Sequence, residues 1–156
     1  MSLTLTSTTF TNGSEIPMSH TCDGENISPP LSWAGSPPNA KSLVLIVDDP
    51  DAPDPAAPER TWTHWVLYNL PATDSGLKQD VVSAGLPTGT KEGLNDWQRT
   101  GYGGPCPPIG QHRYIHHLYA LDIVLPELNN PDRATLEEAM QGHIVDETTL
   151  VGTYQH

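Results

Sequence analysis

The run Ser42-Leu43-Val44-Leu45-Ile46-Val47, closed by Asp48-Asp49-Pro50, decides how this chain is built. It is continuously apolar, too short for a typical helix, and bounded by turn formers, which describes a buried strand. Working upstream, Leu31 to Trp33 is a short strand entered through Pro29-Pro30, and Ile16 to Ser28 reads as loop around Cys22-Asp23-Gly24-Glu25-Asn26. Leu3 to Thr9 alternates weakly and forms a first strand. Downstream, Thr61 to Leu70 is a strand ended by Pro71, Gly85 to Gly110 is a long loop with seven glycines, and Tyr114 to Leu125 and Val145 to Tyr154 are further strands. One helix is expected. Thr135-Leu136-Glu137-Glu138 has the Thr-x-x-Glu form of a capping box, and Gly142 supplies a stop. Many strands, a short helix and no βαβ alternation predict a mainly all-β, antiparallel, sandwich-like fold.

Composition sets the outer limits. The 156 residues fit one domain, 1–156, and a chain of this length buries about 70% of its unfolded surface. No internal repeat or linker interrupts it, and no run of about 18 apolar residues predicts a membrane span. Met1 to Thr11 lacks a basic start followed by an apolar stretch, so a cytoplasmic location is expected, or a periplasmic one if a leader has been removed. The 19 acidic against 7 basic residues exclude nucleic acid and anionic membrane surfaces as partners. The spacing of Cys22 and Cys106 matches neither a zinc motif nor a redox pair, and two free thiols are expected over a disulfide in a reducing compartment. The 16 prolines and 13 glycines are dispersed between apolar runs, as in a sheet protein with long, shaped loops.

Three segments carry candidate chemistry. In Asp48-Asp49-Pro50-Asp51-Ala52-Pro53 the prolines stiffen a carboxylate-bearing strand exit, and Asp49 or Asp51 could orient a histidine. In Trp62-Thr63-His64-Trp65, alternation puts His64 on the face of Trp62 and Val66, opposite Trp65 and Leu67. In Tyr102-Gly103-Gly104-Pro105-Cys106-Pro107-Pro108-Ile109-Gly110-Gln111-His112-Arg113-Tyr114, glycines admit close backbone approach and expose N–H donors, while His112 and Tyr114 share a face and Arg113 points the other way. Read singly, each segment is ordinary: an acidic surface turn, a satisfied core histidine, a structural loop. Read together, they converge on one end of a sheet.

The pairing of Asp49-Pro50-Asp51-Ala52-Pro53 and Trp62-Thr63-His64-Trp65 with Gly104-Pro105 through His112-Arg113-Tyr114 resembles the two signatures of the phosphatidylethanolamine-binding proteins. Thr21-Cys22-Asp23-Gly24, Ser28 to Trp33, Asn95-Asp96-Trp97, Gly142-His143 and Leu150 to Tyr154 are similar to the bacterial and archaeal, Raf kinase inhibitor-like branch. The resemblance implies two antiparallel sheets with one or two short helices and a shallow anion pocket at one end. It implies that Asp49, His64, His112 and Tyr114 line the pocket, that Gly104 and Pro105 form its wall, and that Asp51, Cys106 and Arg113 support it, Asp51 and Arg113 as a charge-assisted pair. It makes Pro50 and Pro105 candidates for cis peptide bonds. Two departures from the eukaryotic pattern, a chain ending soon after Tyr154 and Cys106 in place of a proline, stop the family's lipid and kinase-inhibitor specificities from carrying over.

The expected function is binding without turnover of a phosphate-type anion: a phospholipid head group, a phosphorylated small molecule or a phosphorylated protein. A role as inhibitor of an unidentified kinase or protease, and a homodimer, are compatible with it. Asp49 would orient one imidazole and favour its cation, and the anion would take hydrogen bonds from His64, His112, Tyr114 and backbone N–H groups near Gly104. No cofactor is expected. The competing reading is a metal-dependent hydrolase with His64, His112 and Asp49 as ligands. His20, His143 and His156 are assigned to surface or loop, and Trp33, Trp62, Trp65 and Trp97 to packing rather than to a ligand cage.

Overall fold

A computed structural model describes residues 2–156. Two antiparallel sheets account for the fold. The smaller has the order β1 (Thr4–Thr6), β2 (Leu31–Ala34), β5 (Ser75–Leu77). The larger has the order β6 (Lys91–Glu92), β4 (Arg60–Leu70), β3 (Ser42–Ala52), β7 (Gln111–Leu121), β8 (Ile144–Gln155). The chain also makes one helix, α1 (Arg133–Met140), and two single 3-10 turns.

The apolar run at 42–47 lies at the centre because its side chains serve both faces of the larger sheet. Leu43, Leu45 and Val47 join Trp65, Leu67, Leu118 and the inner residues of the small sheet, Leu5, Trp33 and Leu77, in the core between the sheets. Val44 and Ile46 point the opposite way and meet Val66, Tyr68 and, from α1, Leu136 and Met140. Small sheet, large sheet and helix are therefore stacked as three layers, each sharing apolar area with the central one.

Two local expectations are revised. The helix begins at Arg133, and its N-cap is Asp132, whose Oδ1 accepts the backbone N–H of Thr135 at 2.9 Å. Thr135 thus sits inside the first turn, because the Asp132 carboxylate three residues upstream takes the Thr135 N–H and caps the helix one turn earlier. The second revision concerns β3, which does not stop at Asp48-Asp49-Pro50 but continues to Ala52. Pairing with β4 becomes irregular between Asp49 and Ala52, and proline is tolerated where a ladder is interrupted. Asp48, Asp49 and Asp51 are consequently strand residues, all buried.

A β-bulge sets the direction of β4. Val47 pairs with Trp65 and Asp48 with Thr63, so one residue, His64, is extra on β4. Alternation breaks there. Trp65 and Leu67 face the inter-sheet core and Val66 and Tyr68 face the helix, yet His64 lies on the same side as Trp65, with its ring 5.3 Å from that of Tyr114. Simple alternation grouped His64 with Val66; the bulge overturns that grouping.

On the helix side, Asp48 is held by Arg133 Nη1 at 2.5 Å and His117 Nε2 at 3.1 Å, with Arg133 also bonded to Glu137 at 3.0 Å. Burial opposes ionisation of Asp48, but His117 and Arg133 outweigh it and hold the carboxyl below its ordinary range. A depressed carboxyl stabilises the fold above its unfolded pKa of about 3.9 and loses that contribution as pH falls through the folded value. We therefore expect Arg133→Met, which strips Asp48 of its permanent cation, to cost about 3 kcal/mol at pH 7. Urea unfolding of both proteins from pH 7 down to pH 3 should show the gap closing as Asp48 is protonated.

Candidate functional site

The cavity is built where β3, β4 and β7 run past the core at one end of the larger sheet. From β3 and the turn after it come Asp49, Ala52 and Pro53; from β4, Arg60, Trp62 and His64; from β7, His112 and Tyr114. The loop before β7 closes it with Cys106, Pro107 and Pro108, and Trp97 covers one side. The volume is about 280 Å³, at the lower limit of ordinary small-molecule sites.

The polar floor rests on one buried contact. Asp49 Oδ2 lies 2.5 Å from His112 Nδ1, and the other carboxylate oxygen accepts the backbone N–H of Asp51 at 2.8 Å. His112 Nε2 faces two carbonyls, Ile109 at 2.8 Å and Pro53 at 3.1 Å. Both ring nitrogens therefore face acceptors, an arrangement that only the doubly protonated imidazolium satisfies as a donor at each. His112 is wholly buried and its hydrogen-bonding capacity is used up within the protein. It shapes the floor but has no donor left for a ligand.

His64 differs. Its Nδ1 lies 2.7 Å from the Gly103 carbonyl and so carries the hydrogen, while Nε2 has no partner among the described residues. Burial lowers its pKa, opposed by the Gly103 bond and by Asp49, so the neutral ring with an Nε2 lone pair is favoured. Tyr114 supplies the unused donor. Its hydroxyl is buried and makes no hydrogen bond of full geometry, while the Asp49 carboxylate lies close enough to act on it as an acceptor. Burial, then the Asp49 charge, push its pKa up, so it remains an O–H donor. Two aromatic rings complete the lining: Trp97, 40% exposed, meets Trp62 edge-on at 5.6 Å and His64 edge-on at 5.1 Å.

Asp51 and Arg113 form a two-pronged pair beside the floor. Nε to Oδ2 is 3.0 Å, Nη2 to Oδ1 is 2.8 Å, and the Arg113 backbone N–H adds a third bond to Oδ2 at 2.9 Å. The bonds from Arg113, against the cost of burial, hold the Asp51 carboxyl below its usual range. The pair locks β3 to β7 just outside the cavity.

Several expected placements change. Gly104 and Pro105 are not part of the lining. Gly104 is packed so closely on the loop around residue 20 that an added Cβ would lie 2.2 Å from the His20 carbonyl oxygen, and its N–H is bonded to Asn26 Oδ1 at 2.9 Å. Pro105 accepts the Cys22 N–H at 3.1 Å. The wall is one step further along, at Cys106-Pro107-Pro108. The cis bond is Ala52–Pro53 rather than one before Pro50 or Pro105: Pro50 continues an extended strand, and the chain turns only after Ala52. Trp62 and Trp97 line the cavity, while Trp33 and Trp65 are core. His20 is fully buried, held by Ile27 O and Thr9 Oγ1, each at 3.0 Å.

Cys22 and Cys106 are joined in a disulfide, with Cα atoms 5.4 Å apart. The expectation of free thiols fails because the two loops, 84 residues apart in sequence, are sewn side by side by the Gly104, Pro105 and Tyr102 hydrogen bonds. The bridge anchors the segment that forms the cavity wall. Cys22, Asp23 and His156 are the one group of three with metal-ligand spacing among the described residues, and the sulfur there is already bonded.

Fold and cavity together define a class: a two-sheet β protein with a small aromatic- and proline-walled cavity over a buried Asp–His pair. The model of the phosphatidylethanolamine-binding protein family matches residues 6–155, and this chain belongs to that family. It is 51% identical over 147 residues to a UPF0098 protein of Methanothermobacter thermautotrophicus, covering 94% of each chain. Among solved structures it is similar to a phosphatidylethanolamine-binding protein homologue from Chlamydia trachomatis, with 42% identity, 99% and 98% of the two chains covered, and a TM-score of 0.89. YbcL of E. coli, described as a member of the mammalian family, has 32% identity, 100% and 99% coverage and a TM-score of 0.88.

The disulfide closes a long loop and should restrict the unfolded chain accordingly. Replacing both cysteines by serine should lower stability by about 4 kcal/mol on the chain-entropy account, or about 10 °C in Tm for a chain of this size. Calorimetry of the variant beside the oxidised parent checks this; an unchanged Tm would mean that the loop hydrogen bonds alone hold the wall.

Proposed function

We propose that the protein binds phosphate-type anions in this cavity without transforming them. The observation that carries the reading is the Tyr114 hydroxyl, a buried donor left without a protein partner in a cavity whose other groups are already positioned. A buried polar atom in that state is completed by an ordered water or by a bound molecule, and its place beside the cavity supports the second. Arg60 at the lining adds positive charge to an otherwise acidic protein. A phospholipid head group, a small phosphorylated molecule and a phosphorylated protein side chain present the same group, and the cavity's chemistry serves all three.

Binding without turnover follows from how the reactive side chains are committed. The sulfur of Cys106 is bonded to Cys22, and neither histidine is hydrogen-bonded to a hydroxyl or thiol that it could activate. A metal hydrolase built on His64, His112 and Asp49 is disfavoured because His112 has no nitrogen lone pair to offer while it faces a carboxylate and two carbonyls. The disulfide also favours an oxidising compartment over the cytoplasmic location expected from the sequence.

The test is a titration with phenyl phosphate, following the ring resonances of His64 and Tyr114. Tyr114→Phe should lower affinity at least 10-fold, since a hydrogen bond to a charged group is worth about 1.5–3 kcal/mol, and should leave Tm unchanged or slightly raised. Equal affinity in the variant would overturn the reading. His112→Ala is unsuitable here, because it strands Asp49 and destabilises the fold itself.

A further inference from the structure

We propose that the cavity selects an acid group that still carries a proton, taking the monoanion of a phosphate monoester in preference to its dianion. The proposal rests on the anion-binding reading above and specifies the ligand's protonation state.

The inference follows from counting donors and acceptors on the floor. A phosphate dianion presents acceptors only. The floor offers one donor without a bond of full geometry, the Tyr114 hydroxyl, for which only Asp49 competes, because both nitrogens of His112 are spent on Asp49, Pro53 and Ile109. Against it stand two acceptors. His64 Nε2 carries a lone pair, since Nδ1 holds the hydrogen for Gly103, and Asp49 keeps lone pairs beyond those used by His112 and Asp51. A dianion would meet a lone pair and a carboxylate with nothing to donate to either. A monoanion brings one P–OH, which donates to His64 Nε2 or Asp49 while its other oxygens accept from Tyr114 and, at the mouth, Arg60. The walls agree: Trp62, Trp97 and the prolines replace water with apolar surface, and desolvating two charges costs far more than desolvating one.

The charged and titratable groups that face such a ligand are Asp49 from β3, Arg60 and His64 from β4, and His112 and Tyr114 from β7; the closing loop contributes Trp97 and the bonded Cys106. Asp48, Asp51 and Asp96 lie behind them and add negative potential at His64 and His112. Two arginines are near the entrance, Arg60 in the lining and Arg99 stacked 5.8 Å over Trp97; both are permanent cations and introduce no pH dependence between pH 5 and 8.

The experiment compares phenyl phosphate, phenyl sulfate and benzylamine by calorimetric titration of the intact, oxidised protein at pH 5 and pH 7.5. The second proton of a phosphate monoester leaves near pH 6, so the monoanion fraction, and with it the affinity, should fall about 30-fold between these values. Phenyl sulfate has the same shape and one charge but no proton, and should bind more weakly at pH 5 with little change at pH 7.5. If both esters strengthen in parallel on acidification, a protein group such as His64 is taking the proton, and this proposal falls while anion binding stands. Phenyl phosphate binding equally well or better at pH 7.5 would also overturn it. If neither ester binds and benzylamine does, the floor is a cation site and both readings fail.

Discussion

The structure depends on a constraint imposed by its own central strand. β3 carries three carboxylates, Asp48, Asp49 and Asp51, into the interior at the end of an apolar run, and a buried carboxylate without a partner costs several kcal/mol. Each is satisfied in a different direction. Asp48 points to the helix side and is met by Arg133 and His117; Asp49 points to the cavity and is met by His112; Asp51 is met by the fork of Arg113. Strand alternation makes this division: Asp48 follows Ile46 to the helix face, and Asp49 follows Val47 to the face of the sheet that carries the cavity. One short acidic segment thereby fixes α1, β7 and the cavity floor to the same strand.

The cost of that solution is paid in hydrogen-bonding capacity, and it determines what the site can do. Two residues of β7, His112 and Arg113, are committed to carboxylates of β3, so this strand contributes few free donors to the cavity. His112 is better understood as the buried partner of Asp49 than as a ligand-binding group. What remains available is the hydroxyl of Tyr114, one face of His64 and the guanidinium of Arg60. On a floor with so few donors, unmatched lone pairs of any occupant are penalised.

Much of the fold was legible before any coordinates. The strands at 42–47, 61–70 and 145–154 declare themselves by apolar runs bounded by Pro, Gly and Asp, and the residues Asp49, His64, His112 and Tyr114 stand out by type and placement. What was not legible depends on pairing between distant segments. The bulge at His64 is a mismatch in length between β3 and β4, and no property of residues 62–66 alone announces it. The Cys22–Cys106 bridge and the displacement of Gly104 and Pro105 from the lining have one cause, the packing of the 18–26 loop against the 102–106 loop. Trp97 reaches the cavity for the same kind of reason. Asp96, its neighbour, bridges to Thr63 through its backbone N–H and its carboxylate, which brings a residue 33 positions away to the β4 edge. The helix cap was misplaced for a simpler reason: Asp132 and Thr135 are both good caps, and only the geometry decides which carries the role.

The two sides of the larger sheet put the same chemistry to different uses, and the comparison explains why only one of them is a cavity. On the helix side, Asp48, His117 and Arg133 are covered by α1, and the cluster is internally complete: an anion, a guanidinium and an imidazole in direct contact. On the other side, Asp49 and His112 are equally paired, but the small sheet ends before it can cover them, since β2 and β5 pair only from Leu31 to Trp33. The space over the floor is closed instead by a proline-rich loop tethered through Cys106 and by the ring of Trp97. Prolines carry no N–H, so this wall encloses the site while supplying few donors to it. The donors of this site are therefore set by the strands beneath it and not by the loop that closes it.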